Sequence, residues 1–89
     1  MNESAPKKWN FIAKLRIEKQ GRGGKTVTVV DNLPKMELYL KQWTSEWKSR
    51  CGSGGTYRMD GKDGAIEIQG DKRELLRKLL TELGITFKG

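Results

Sequence analysis

The chain has 89 residues, with 18 Lys and Arg against 11 Asp and Glu and no His, so it carries +7 near neutral pH. A chain of this length holds one modest core, stable by about 4 to 13 kcal/mol, and has no room for a second. His is the usual general base near pH 7 and the commonest zinc ligand, and neither role has a carrier.

The single Cys, Cys51, can form neither an internal disulfide nor a thiolate metal site, which suits a reducing compartment. No apolar run is long enough to span a bilayer, and the N-terminus lacks the apolar stretch of a signal peptide. The expectation is a soluble cytoplasmic protein with no membrane partner, no cofactor and no metal. The positive balance calls for an anionic partner, nucleic acid or anionic lipid. Of the +7, +5 falls within the first 30 residues, which locates the electrostatic footprint.

In chain order, residues 1–14 read as a flexible basic N-terminal tail and 15–89 as one domain. Leu15 and Ile17 alternate with Arg16 and Glu18, as a half-buried strand requires. Thr26 to Val30 is a β-branched run, and Gly21-Arg22-Gly23-Gly24-Lys25 between the two makes a hairpin with a long basic tip. Asp31 or Asn32 can cap a following helix, with Pro34 in its first turn. Met36, Leu40, Trp43 and Trp47 form its apolar stripe, and Gly52 ends it.

Thr56 to Met59 and Ala65 to Gln69 read as strands joined by Asp60-Gly61-Lys62-Asp63-Gly64. Asp71 and Glu74 have the spacing of a capping box at the start of a second helix, whose stripe is Leu75, Leu76, Leu79, Leu80 and Leu83. Gly84 stops it, and Ile85 to Phe87 suits a short edge strand. The order predicts an α+β, two-layer, open-faced sandwich: β-β-α-β-β-α with a possible last strand. Its mixed sheet has four to five strands, and both helices lie on one face.

Gly24-Lys25-Thr26 resembles the end of a phosphate-binding loop. The first glycine of that motif would fall on Lys19, however, and the following segment is strand where the motif needs a helix. Nucleotide hydrolysis is therefore not expected. Arg22 and Lys25 on a glycine tip suit an RNA backbone, but they equally suit a solvated turn, and the loop by itself does not separate the two. Apart from Phe87 in the short edge strand, Tyr57 is the only aromatic in a predicted strand, so base stacking on the sheet lacks platforms. Trp43 and Trp47 read as core, with a protein-interaction surface on that helix as the alternative function. Cys51 reads as a small buried residue at the helix end. Lys72 and Arg73 oppose the dipole at a helix N-terminus, and their exposure there would extend a basic surface.

Three segments carry a family resemblance: Gly24 to Val30, Cys51-Gly52-Ser53-Gly54-Gly55-Thr56, and Ile66-Glu67-Ile68-Gln69-Gly70-Asp71-Lys72-Arg73. In this order and spacing they resemble the translation initiation factor family that includes eukaryotic initiation factor one, whose shared domain is called the SUI domain. The resemblance spans about residues 15–88 and is nearer to bacterial and archaeal members, with a bacterial homologue expected. It implies an open-faced sandwich that binds the small ribosomal subunit near the initiator tRNA and affects start-codon or initiator selection, without catalysis and as a monomer. It places a ribosomal-RNA contact on Arg22, Gly23, Gly24 and Lys25. With Lys19, Lys72 and Arg73 these make the candidate RNA-binding set. The same resemblance turns the loop Asp60, Gly61, Lys62, Asp63 and Gly64 towards the tRNA. Its two carboxylates would repel tRNA phosphate, and repulsion could itself serve discrimination.

Overall fold

The computed structural model describes residues 9–21 and 23–89. Five strands and two helices follow in the order β1 (Ile12–Gln20), β2 (Lys25–Leu33), α1 (Glu37–Cys51), β3 (Gly55–Arg58), β4 (Gly64–Gln69), α2 (Arg73–Glu82) and β5 (Thr86–Lys88). They form one mixed sheet in the spatial order β3-β4-β2-β1-β5, antiparallel except where β5 runs parallel to β1. The two-layer α+β architecture is the one expected. β2 is central, and its β-branched run Val27 to Val30 is buried on both sheet faces.

Register explains which face the helices cover. Leu15 lies opposite Val30, and Val30 opposite Ile66, so the three form a row across the sheet. That row packs with Leu40, Trp43, Trp47, Leu76, Leu79 and Leu80 from the two helices into one core. Each fully buried aliphatic side chain there contributes about 1.5 to 3 kcal/mol. On the other face Val29 lies between Arg16 and Glu67, and ion pairs cover it: Arg16 Nε to Asp31 at 2.6 Å, Arg16 to Glu18 at 3.1 Å and Arg58 to Glu67 at 2.8 Å. Among the described residues that face carries no aromatic ring. Tyr57, opposite Ile66, is on the helix side, where its hydroxyl donates to Glu37 at 3.0 Å.

Several boundaries depart from the sequence reading. β1 starts at Ile12 because Ile12, Ala13 and Lys14 pair with Thr86, Phe87 and Lys88, a partner too distant in sequence for local alternation to show. Trp9 and Phe11, also placed with the tail, pack on the core. Trp9 Nε1 donates to the Leu83 carbonyl at 3.1 Å, and its ring meets Tyr39 and Trp43 edge-on at 5.3 and 5.4 Å. The expected basic tail before residue 9 lies outside the described residues.

Asp31 and Asn32 cap nothing, since β2 runs on to Leu33 through a register shift. Asn32 takes φ 65° there, a conformation its short polar side chain tolerates, and donates to the Ile12 carbonyl at 2.7 Å. Met36 at the N-cap of α1 is half exposed, while the rest of the predicted stripe is buried. Gly52 ends α1 in the left-handed region, φ 62°, with Ser53 N–H reaching the Lys48 carbonyl.

Candidate nucleic-acid interface

The candidate RNA-binding residues come from two of the three chain segments that meet at one end of the sheet. The first is the base of the β1–β2 hairpin, where Lys19 lies opposite Thr26 and its ammonium donates to the Thr26 hydroxyl at 3.2 Å. The four-residue tip closes with Gly24 N–H on the Gly21 carbonyl, and both glycines have positive φ, 73° at Gly21 and 65° at Gly24. Gly23 differs in having no positive φ, and a Cβ on any of the three glycines meets nothing within 4 Å. Arg22, the fourth member of the expected contact, lies outside the described residues.

The second segment is the glycine-rich stretch after α1. Gly54 accepts the Gln69 N–H at 2.9 Å, and a Cβ on Gly55 would stand 2.7 Å from both the Glu67 carbonyl and Ile68 Cδ1. These glycines let the turn lie directly on β4. The third segment is the β4–α2 connection, tied to the hairpin by Gly70 N–H on the Thr26 carbonyl at 2.8 Å. Lys72 therefore follows β2 closely, and its charge, with that of Arg50, acts on Cys51 at the end of α1. Cys51 is buried, as expected, and burial pushes its thiol above the ordinary range.

The expected capping box at α2 does not form. Lys72 is the N-cap and makes no side-chain cap bond, and Glu74 is exposed. Asp71 does accept the Arg73 backbone N–H, at 3.4 Å, and Arg73 Nε and Nη2 each donate to it at 3.0 Å. Those bonds hold the Asp71 carboxyl below its ordinary range. What orders this helix start is Thr28, wholly buried, whose hydroxyl donates to the Gly70 carbonyl at 2.7 Å and accepts the Lys72 N–H at 2.8 Å. Sequence reading missed Thr28. The available signal was a hydroxyl inside a run of valines, which in a central strand has to find partners.

The cations of this end are unequally free. Among the described residues, ion pairs engage Arg50 and Arg73 here, as they do Arg16 and Arg58 elsewhere on the sheet, while Lys19, Lys25 and Lys72 enter none. Arg73 thus sits in the predicted place with its charge matched locally.

The loop Asp60 to Gly64 is at the other end, since Leu33 and not the hairpin side of β2 lies opposite Gly64. Lys35 Nζ donates to the Gly61 carbonyl at 2.9 Å, and a Cβ on Gly64 would come within 2.8 Å of the Pro34 carbonyl and Leu40. Asp60, Lys62 and Asp63 are exposed beside an open groove of about 360 Å³ shared with Lys14, Asp31 and Arg58. Among the described residues no group of three or more His, Cys, Asp or Glu could hold a metal, and no helix is long and apolar enough to cross a membrane.

A family model described as translation initiation factor SUI1 matches residues 12–86. The chain belongs to this family. A protein translation factor SUI1 homolog of Hyperthermus butylicus is 44% identical over 73 residues, covering 82% of this chain and 66% of the relative. The uncharacterized protein YciH of Escherichia coli is 39% identical over 81 residues, 91% of this chain and 71% of its own length. A further uncharacterized protein, from Haemophilus influenzae, is 45% identical over 76 residues, 83% of this chain and 68% of that protein. The chain spans about two thirds of the length of these relatives. In this SUI1 domain the three segments that carry the family resemblance are neighbours in space, joined by the Gly70–Thr26 and Gln69–Gly54 backbone bonds. Trp43 and Trp47 are buried and stacked, rings nearly parallel at 6.1 Å, so the alternative interaction surface on α1 has no exposed tryptophan to offer.

Proposed function

We propose that this SUI1 domain acts in translation initiation by binding the small ribosomal subunit through its hairpin end, with Lys19, Arg22, Gly23, Gly24, Lys25 and Lys72 against ribosomal RNA and Arg73 at the margin. The observation that carries the reading is the convergence of Lys19, Lys25 and Lys72, none of them ion-paired among the described residues, on one end held together by backbone bonds. Unmatched lysines on a firm base suit phosphate contacts, which position a protein without reading sequence. The glycine tip allows close approach to a backbone, and nothing in the fold demands a glycine at 23. The factor works in the cytoplasm and by occupancy, with no bond made or broken by it.

The loop Asp60 to Gly64 is the part turned to the initiator tRNA. Its exposed carboxylates, on a loop that Lys35 anchors, oppose close approach of tRNA phosphates and so weigh against a misplaced initiator. Cosedimentation with 30S subunits at two salt concentrations tests the main reading. Arg22→Ala with Lys25→Ala is expected to weaken binding and to flatten its salt dependence by about 0.7 to 0.9 log units for each phosphate that is no longer neutralised. Unchanged binding by that folded double variant removes the hairpin from the mechanism.

A further inference from the structure

The two basic segments at the hairpin end belong to different parts of the chain, and one buried side chain spans them. Thr28 is 0% exposed in the middle of β2, two residues after Thr26 and three after Lys25. Its hydroxyl spends its proton on the Gly70 carbonyl and receives the Lys72 N–H, so both ends of the Gly70–Lys72 turn are fixed by one oxygen atom. The neighbouring Gly70 N–H bonds to the Thr26 carbonyl, so the turn is held on β2 at three points. The pairing is selective. Val27, Val29 and Val30 surround Thr28 and are likewise buried, and none of them could satisfy a carbonyl and an amide left at this depth.

We infer that Thr28 is a positioning residue for RNA binding: by joining β2 to the α2 N-terminus it holds Lys72 at a set distance from Lys19 and Lys25, so that the lysines meet neighbouring phosphates as one array. The inference rests on the proposed RNA contact of the hairpin end. Asp71 accepts the Arg73 N–H and the Lys72 carbonyl accepts the Leu76 N–H, but both bonds lie within the turn and helix, so without the Thr28 hydroxyl the turn keeps only the Gly70–Thr26 bond to β2. Freedom of that kind has to be surrendered on binding, and it lowers affinity without removing any charge.

The test uses Thr28→Val, which keeps the shape and removes the hydroxyl, and Thr28→Ser, which restores it. In the free protein, amide hydrogen exchange at Lys72 is expected to speed up about tenfold in Thr28→Val and to return near the original rate in Thr28→Ser. Binding to purified 30S subunits is expected to weaken by about three- to tenfold in Thr28→Val and to recover in Thr28→Ser. The deciding measurement is a double-mutant cycle with Lys72→Ala. If Thr28 acts by placing Lys72, the affinity penalty of Lys72→Ala shrinks in the Thr28→Val background.

Fast exchange at Lys72 with unaltered 30S affinity, or fully additive penalties in the cycle, overturns the positioning role while leaving the RNA reading in place. Absence of 30S binding by the unmodified protein overturns the RNA reading and the inference with it. Should Thr28→Val fail to fold, Thr28→Cys serves in its place, since a thiol is too weak a partner to hold both bonds.

Discussion

Two glycine loops join antiparallel neighbours in this sheet, the β1–β2 tip and the β3–β4 loop, and they have been used for opposite ends. At the β3–β4 loop glycine serves packing: Gly64 is buried because the Pro34 carbonyl and Leu40 leave no space for a Cβ, and Lys35 ties the loop down at Gly61. At the β1–β2 tip the glycines project into open space, and the charge beside them is lysine free of ion pairs among the described residues. The difference teaches that glycine content alone does not mark a binding loop. The β3–β4 loop also has an unrestricted glycine, Gly61, beside a lysine, but Lys62 lies between Asp60 and Asp63, whereas Lys25 at the tip has no carboxylate beside it in the chain and has Lys19 and Lys72 at the same end.

The largest effects that would test this contrast are on stability. Gly64→Ala, and likewise Gly55→Ala at the turn lying on β4, forces a Cβ to within 2.8 Å or less of a backbone carbonyl, which cannot swing aside. Each is expected to cost about 1 to 3 kcal/mol and to lower the thermal midpoint by roughly 5 to 20 °C. Gly23→Ala, with nothing near its Cβ, is expected to stay within about 0.5 kcal/mol of the parent. Thermal unfolding of the three variants checks the claim, and equal midpoints would erase the distinction between packing and functional glycines.

Next comes charge. Lys25→Ala with Lys72→Ala is expected to reduce the salt slope of 30S binding by about 1.4 to 1.8, whereas Lys62→Ala on the other loop leaves that slope in place. A similar reduction from Lys62→Ala would mean that subunit affinity is spread over both ends. A smaller effect is expected from Asp60→Asn with Asp63→Asn. Subunit affinity stays within about twofold, while initiator tRNA paired to a wrong codon is retained longer, because the screened repulsion between loop and phosphate is gone. Retention of labelled tRNA on 30S complexes measures it, and unchanged retention at low salt would remove the carboxylates from discrimination.

The sequence made the layers legible because local patterns carry them: Ile66 and Ile68 alternate along β4, and Leu76, Leu79 and Leu80 share one side of α2. It hid whatever depended on a distant partner. The start of β1 is set by β5, and Trp9 belongs to the core only because the Leu83 carbonyl and the Tyr39 and Trp43 rings stand beside it. The same limit applies at the candidate site. Lys19, Lys25 and Lys72 are visible as basic residues in any reading, and the hairpin brings the first two together, but the nearness of Lys72 follows from β2–β4 register. Asp71 has the right spacing for a cap, and it shares the helix start with a competitor on another element: the Thr28 hydroxyl takes the Lys72 amide, leaving the carboxylate to the Arg73 amide and guanidinium.

That exchange sets up the smallest and sharpest prediction. Asp71 and Arg73 are both exposed, so their pairing adds little to stability near neutral pH and Asp71→Asn is expected to leave the thermal midpoint almost unchanged. The sign of its pH dependence follows from the carboxyl being held below its ordinary range by the Arg73 hydrogen bonds. Whatever the pair contributes is present in full above the ordinary carboxylate pKa and is lost only as the pH falls through the lowered value, well into acid. Binding is a different matter, because the carboxylate neutralises an arginine at the margin of the lysine array. Asp71→Asn releases that guanidinium and raises the local charge by one. 30S affinity at low salt is therefore expected to rise by about two- to fivefold, with a slightly steeper salt slope and no change at the Asp60 loop. A fall in affinity on this substitution would mean that Asp71 holds Arg73 in a bonded geometry that RNA needs, and the contrast between matched and unmatched cations at the hairpin end would have to be redrawn around geometry and not charge.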